Sequence, residues 1–178
     1  MQRGGQIVSD EMFYNLSMCN MSFEDVFGQI CTFMKKDPRQ NYRLSIGTDS
    51  KVHTRFTRFI TAIHIHRIGN GAWGCLRPIV IKREVMSLRE KIHLETMYSQ
   101  EIAYLFTPER TSELIEIIYP YKKEGGNFTM EIHLDIGQYG LTREFIQEAT
   151  SRITAMGITA KIKPDAYAAS SYANRYTR

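Results

Sequence analysis

Apolar residues recur at helical spacing in the segment 22–36. Ser22 stands at its start with Asp25 three residues later, and this pairing is a sequence signature of a helix N-terminus. The segment therefore predicts a helix, which ends before Pro38 because proline and the residue before it disfavour helical backbone. Residues 1–21 show no clear hydrophobic period, so we expect them to form an irregular N-terminal arm.

Segments rich in β-branched and aromatic residues follow, and each predicts a β-strand: 42–52, 56–68 and 72–82. A Gly-Asn-Gly turn at 69–71 joins the last two, so we expect the three strands to form an antiparallel meander. In the first strand, Leu44 and Ile46 face one way, whereas Asp49 faces the other way among small residues. Something can therefore approach Asp49 closely.

Helices and strands alternate in the rest of the chain. Ser87 and Glu90 form a capping-box pattern at the start of a long helix that extends to Phe106. Beyond it the sequence predicts, in order, a short helix over 112–119, a strand over 128–136, a helix over 142–156, a strand over 158–163 and a last helix over 166–176. A meander followed by strands that crossover helices connect makes a mixed five-stranded sheet flanked by helices. No linker or repeat interrupts it, so we expect one α/β domain over residues 1–178.

The bulk composition narrows the class of protein. The chain has 178 residues and a net charge of +4, with a pI of about 9.0. Its apolar runs are too short to span a bilayer, so we expect no membrane association. Scattered cysteines without C-x-x-C spacing indicate reduced thiols in a cytoplasmic protein rather than a disulfide framework. The basic balance is compatible with a nucleic-acid partner without requiring one, and the oligomeric state stays open.

Carboxylates stand where the predicted strands end or helices begin: Asp49, Glu95, Asp135 and Asp165. Neighbouring parallel strands place their carboxyl ends at one edge of a sheet, so we expect Asp49 and Asp135 to meet there. Carboxylate oxygens are ligands of Mg²⁺, and paired metal ions cleave phosphodiesters. Each acid also has an ordinary interpretation, because aspartate is common in turns and at helix N-caps and glutamate on solvated helix faces.

Several runs of the sequence carry a family resemblance: IGTDSKVH at 46–53, SLREKI at 87–92, SQEI at 99–102, IHLDIG at 132–137 and KIKPDAYAASSYA at 161–173. In these runs the chain resembles the YkuK-like bacterial proteins, a family described as ribonuclease H-like. The resemblance covers nearly all of residues 12–178. It implies a ribonuclease H-like fold, to which the helix predicted over 22–36 is an extra N-terminal element.

The resemblance also implies a set of acids that are both catalytic and metal-binding: Asp49, Glu95, Asp135 and Asp165. The implied cofactor is Mg²⁺ or Mn²⁺, as one or two ions, with water as the nucleophile. Glu90 and Glu101 lie on the same predicted helix as Glu95, and only one of the three is expected to face the site. Asp165 starts the last helix instead of lying within it, which leaves a single-metal site open.

We therefore expect a divalent-metal-dependent nuclease that acts on RNA, an RNA–DNA hybrid or structured DNA. Neighbouring residues are candidates for orienting the acids or contacting the substrate: Lys51, His53, Glu101, His133 and Lys163. His64 and His66 are expected to belong to a half-exposed sheet face. One alternative is a catalytically inactive ribonuclease H-like module that binds nucleic acid or protein, and another is a metal-binding structural protein without a nucleic-acid partner.

Overall fold

The computed structural model describes residues 12–168 and residue 173. Within them, the strands are β1 (Asn41–His53), β2 (Phe56–Arg67), β3 (Ala72–Ile81), β4 (Asn127–His133) and β5 (Thr159–Lys161). The helices are α1 (Phe23–Lys35), α2 (Leu88–Leu105), α3 (Pro108–Ile118) and α4 (Ile146–Thr154), with 3₁₀ segments at Tyr119–Glu124 and Arg143–Phe145. None of these helices combines the length and hydropathy needed to cross a bilayer.

The strands form one five-stranded sheet in the order β3-β2-β1-β4-β5, with β1 at its centre. β1, β2 and β3 pair antiparallel as the predicted meander. β4 runs parallel to β1, and β5 runs parallel to β4. Parallel neighbours need crossover connections, and helices supply them here. The mixed sheet of the ribonuclease H-like type, with an N-terminal helix before it, is therefore confirmed.

The apolar face of the sheet packs against α1, α2, α3 and α4. Leu44, Ile46 and Ile63 are fully buried there, in one cluster with side chains from each of these helices. Burying an aliphatic side chain of this size contributes about 1.5–3 kcal/mol. Ser22 starts α1 with a complete capping box, because its hydroxyl accepts from the Asp25 N–H and the Asp25 carboxylate accepts from the Ser22 N–H. Packing on this face also positions α2, the helix that carries Glu95.

The opposite face of the sheet is polar near its centre and partly covered by the two ends of the described chain. In residues 12–21, Tyr14 bridges to Leu76 of the edge strand β3 through hydrogen bonds of 3.0 and 2.8 Å and packs in the cluster around Leu76, and Phe13 bridges to Met21. Ala173 packs beside Leu76 on this face. Helical backbone begins at Tyr167, and most of the predicted helix 166–176 lies outside the described residues.

The start of α3 differs from the sequence expectation. The helix begins at Pro108, a turn before the predicted start at Ser112. Thr107 caps it, since the Thr107 hydroxyl accepts from the Arg110 N–H. Proline is tolerated in the first turn because its missing N–H has no partner there in any helix.

The bounds of β4 and α4 are also shorter than predicted. Pairing of β4 with β1 stops at His133, three residues before the expected end of the strand. The segment predicted to open the next helix forms a 3₁₀ turn at Arg143–Phe145 instead. Thr142 does not cap that turn, because its hydroxyl accepts from the Gly137 N–H at 3.1 Å and so holds the loop after β4 closed.

Candidate functional site

Asp49 lies in β1 at the point where the parallel pairing with β4 ends. That pairing extends as far as Gly47, opposite His133. From Thr48 to His53, β1 extends past β4 while it continues to pair with β2. Side chains alternate along a strand, so Asp49 projects from the polar face of the sheet. It is 6% exposed, which places a carboxylate in a largely buried position at the sheet edge.

Asp135 reaches the same edge from the chain that follows β4. Backbone hydrogen bonds of 2.8 and 3.0 Å tie the chain on either side of Asp135 to the segment 161–163. Asp135 lies two residues beyond the last residue of β4 that pairs with β1, so it reaches the same end of the sheet as Asp49. The Lys163 ammonium lies 2.8 Å from Asp135 Oδ1 and neutralises its charge.

Glu95 approaches this edge from α2. Ser50 donates a hydrogen bond to Glu95 Oε1 at 2.7 Å, and Lys91 Nζ lies 3.7 Å from the same oxygen. Burial raises the pKa of Glu95 to about 8, and the charges of Asp49 and Asp135 add to the rise while Lys91 and Ser50 oppose it. Asp49 and Asp135 therefore lie close enough to Glu95 for their charges to affect its ionisation.

A chain of hydroxyl groups fixes α2 one turn beyond Glu95. Ser99 donates to the Glu95 carbonyl at 3.0 Å, and its hydroxyl lies 2.8 Å from that of Thr48. The Thr48 hydroxyl lies 2.9 Å from that of Thr61. Since Ser99 uses its single proton on the carbonyl, Thr48 donates to Ser99 and Thr61 donates to Thr48. These buried contacts set the position of Glu95 relative to β1.

The other two glutamates of α2 form ion pairs away from the two aspartates. Glu90 pairs with Arg83 at 2.5 Å, and Glu101 pairs with Arg77 of β3 at 2.6 Å. Only half of the predicted capping box forms, because the Ser87 hydroxyl accepts from the Glu90 N–H while the Glu90 carboxylate pairs elsewhere. The geometry therefore favours the central glutamate of the helix over its two alternatives.

The remaining candidates surround these acids. Asp165 is exposed in the turn that follows β5. Lys51 is exposed on β1, and His53 stacks on Phe56 with ring centroids 4.4 Å apart. The structure thus brings three of the four predicted acids together and leaves Asp165 exposed to solvent in a neighbouring loop.

His133 belongs to a buried polar network. Its Nδ1 accepts from the Ala168 N–H, its Nε2 lies 3.1 Å from a carboxylate oxygen of Glu131, and the Tyr167 ring meets it edge-on. An N–H can only donate, so His133 carries its proton on Nε2 and donates to Glu131. Burial lowers the pKa of His133. The network attaches the chain that follows Asp165 to β4.

The same network extends across β1 to β2. The Tyr167 hydroxyl lies 2.7 Å from the Ser45 hydroxyl, and its ring meets His64 edge-on. Burial lowers the pKa of His64 to about 4, with the charges of His66 and His133 lowering it further. His64 and His66 are both half-buried, as expected of a sheet face.

The donor chemistry of the acid group fits a hard divalent cation. Carboxylate oxygens are the ligands that Mg²⁺ and Mn²⁺ take, and such a cation would relieve the mutual repulsion that helps raise the pKa of Glu95. As placed, however, no three His, Cys, Asp or Glu side chains in residues 12–168 and 173 are close enough together to hold an ion. Two cations of the chain lie beside the group instead, Lys91 near Glu95 and Lys163 near Asp135.

A family model for ribonuclease H-like proteins matches residues 25–178, a range that contains the whole sheet and all the predicted acids. The chain belongs to the ribonuclease H-like family. This ribonuclease H-like chain is also 54% identical over 167 residues to the uncharacterized protein YkuK of Bacillus subtilis (strain 168), covering 94% of this chain and 97% of that protein. The resemblance to the YkuK-like proteins is therefore confirmed. No solved structure matches the chain.

Two neighbours of Glu95 in this ribonuclease H-like site were missed by sequence reasoning. Lys91 precedes Glu95 by one helical turn, and this spacing is itself a signal for an ion pair. Ser50 alternates with Asp49 on β1, so it faces α2. Because Asp49 and Ser50 are consecutive, their side chains lie on opposite faces of β1. Asp49 lies on the polar face, and Ser50 lies on the face that packs against α2.

Proposed function

We propose that this ribonuclease H-like protein is a divalent-metal-dependent nuclease that cleaves RNA, an RNA–DNA hybrid or structured DNA. The observation that carries the proposal is the convergence of Asp49, Glu95 and Asp135 at the sheet edge where β4 ends beside β1, since α/β sheets place their sites at the carboxyl ends of their parallel strands. A carboxylate buried beside two others is costly unless a cation compensates it.

Each side chain has a role in this proposal. Asp49 and Asp135 hold the cation, ionised Glu95 completes the set from α2, and Asp165 is a fourth ligand contributed by the loop after β5. When bound, one or two Mg²⁺ or Mn²⁺ ions supply Lewis-acid chemistry for attack of water on the phosphodiester. Lys163, released from Asp135, is placed to contact a phosphate.

Cleavage assays with Asp49→Asn test the proposal. Wild-type protein is incubated with single-stranded RNA, an RNA–DNA hybrid and branched DNA, with Mg²⁺ or Mn²⁺. We expect cleavage of at least one substrate by the wild type and a loss of at least about 100-fold in the variant, as expected when a metal-holding residue is removed. Asp37→Asn, at the opposite end of β1, is the matched control and should cleave as the wild type does. A wild type that cuts nothing, or an Asp49→Asn variant that cuts equally well, contradicts the proposal.

The second candidate function is a ribonuclease H-like module that binds nucleic acid without cutting it. The specific observation in its favour is that lysines of the chain itself lie beside two of these acids, Lys91 at 3.7 Å from Glu95 and Lys163 at 2.8 Å from Asp135. Binding that weakens with salt and is indifferent to Mg²⁺, together with an absence of cleavage, would support the binding module.

A further inference from the structure

The β1–β2 hairpin extends past β4 on the Asp49 side of the sheet. Its polar face presents two cross-strand pairs, Lys51 with Arg58 and His53 with Phe56. These four residues are called the hairpin surface. Successive rows on one strand face are roughly 6.7 Å apart. The cationic row therefore lies one step from Asp49, and the ring row lies two steps from it.

The cationic row is a like-charged pair. Like charges directly opposite each other on neighbouring strands destabilise a sheet. Lys51 is exposed and Arg58 is half-buried, and in the described part of the chain neither takes part in an ion pair. By contrast, ion pairs with glutamates engage many of the other described arginines: Arg39, Arg43, Arg77, Arg83, Arg89 and Arg110. The hairpin pair is thus available to an external anion.

The ring row offers a stacking surface. The His53 and Phe56 rings are 4.4 Å apart and inclined by 20°, and both remain partly exposed. Proteins that bind single-stranded nucleic acid combine cations that contact the backbone with aromatic rings on which bases stack. Bases inside a duplex already stack on each other, so this combination favours a single strand over a duplex.

We infer that the hairpin surface binds a single-stranded segment of nucleic acid beside the bond that is cut, an inference that rests on the nuclease function proposed above. Phosphates contact Lys51 and Arg58, and a base stacks on the ring pair of His53 and Phe56. The strand then passes over Asp49, which lies on β1 where the pairing with β4 ends. The hairpin thereby selects substrates with an unpaired stretch next to the site.

Fluorescence anisotropy with a labelled single-stranded RNA of mixed sequence, in EDTA and over a series of salt concentrations, tests the binding. Arg58→Glu replaces the like-charged pair by an opposite-charged pair with Lys51. We expect it to bind about tenfold more weakly, with the slope of log affinity against log salt reduced by about 0.7 or more, and to melt about 1–4 °C higher than the wild type. Lys122→Glu makes the same change of charge beyond the other end of the sheet and should leave affinity unchanged.

Phe56→Ala tests the stacking. We expect a loss of roughly tenfold in affinity with an unchanged salt slope, because stacking is removed and no phosphate contact is lost. Wild-type affinity in Arg58→Glu or in Phe56→Ala overturns the inference. So does tighter binding of a blunt RNA duplex than of the single strand, or binding of phosphatidylserine vesicles in place of RNA.

Cleavage is measured separately on the same proteins. If the protein binds RNA through the hairpin surface and cuts nothing, the nuclease proposal is wrong and binding by the hairpin surface is supported. A protein that cuts a substrate at the same rate in the wild type and in Arg58→Glu removes the hairpin surface and keeps the nuclease proposal.

Discussion

Glu95 is the buried glutamate of the candidate site, and its pKa is strongly raised. This residue is 7% exposed, and its carboxyl lies near two aspartates at the sheet edge. The sequence could not single it out from Glu90 and Glu101, because all three lie on one helix within three turns. Arg83, on the loop before the helix, and Arg77, on β3, pair with Glu90 and Glu101 only once the chain is folded, so only the fold reveals which glutamate is left for the site.

The raised pKa of Glu95 predicts a pH-dependent stability of the metal-free protein. The unfolded chain releases this proton near pH 4.5, whereas the folded protein holds it up to about pH 8. The stability that this group contributes is therefore complete below pH 4.5 and is lost as the pH rises through 8. We expect Glu95→Gln to exceed the wild type in unfolding free energy by more than about 1 kcal/mol at pH 9, and to match it at pH 4.

Urea denaturation at both pH values, in EDTA, measures this difference. Glu116→Gln, on the exposed side of α3, is the control and should follow the wild type at every pH. A Glu95→Gln variant whose stability changes with pH in parallel with the wild type would contradict the assigned burial.

At the scale of the elements, periodic patterns of apolar residues in the sequence correctly predicted the helices and strands. Element ends that depend on single contacts were missed. Alternation along β1 correctly placed Asp49 opposite Leu44 and Ile46, and the helical period of α1 gave its bounds within a residue or two. The early start of α3 was missed although Thr107 and Pro108 carry a helix-start signal. The shortening of β4 had no local signal, because it depends on where β1 and β5 lie.

The hydroxyl chain between α2 and the sheet predicts a cost for Ser99→Ala. The substitution leaves the buried Thr48 hydroxyl without its acceptor, so we expect unfolding free energy to fall by about 1–3 kcal/mol. Because Ser99 lies one turn from Glu95, affinity for Mn²⁺ measured by calorimetry should fall as well. Ser112→Ala, exposed on α3, should change neither quantity. Unaltered stability in Ser99→Ala would show that the chain of hydroxyls does not hold the helix.

For the whole molecule, the acids join parts of the chain that are far apart in sequence. The acids on β1, on α2 and after β4 come together only when the sheet and its helices are assembled. An ion that binds this arrangement and not the unfolded chain stabilises the entire fold by mass action. Positions at strand ends and helix starts singled out the acids in the sequence, and the family resemblance implied their roles. The lysines beside Glu95 and Asp135 became visible only in the assembled structure.

Metal binding should therefore appear as a shift in melting temperature. At a Mg²⁺ concentration about 100 times the dissociation constant, the stabilisation is about 2.7 kcal/mol, which corresponds to a rise of roughly 5–10 °C for a domain of this size. Differential scanning calorimetry of wild type and Asp49→Asn, against NaCl at equal ionic strength, measures the shift. A rise of equal size in both proteins would place the ion elsewhere.

Because β1 extends past β4, the length of the β1–β2 hairpin can change without moving the acids. Adding two residues to each strand of the hairpin would extend it by one row on each face, because side chains alternate with a period of two. Asp49 on β1 and Asp135 after β4 would keep their positions, since the added rows lie beyond them. An insertion of a single residue would reverse the faces beyond it. If the hairpin binds nucleic acid as inferred above, changes in its length by whole rows would alter the bound substrates and leave the positions of the acids unchanged.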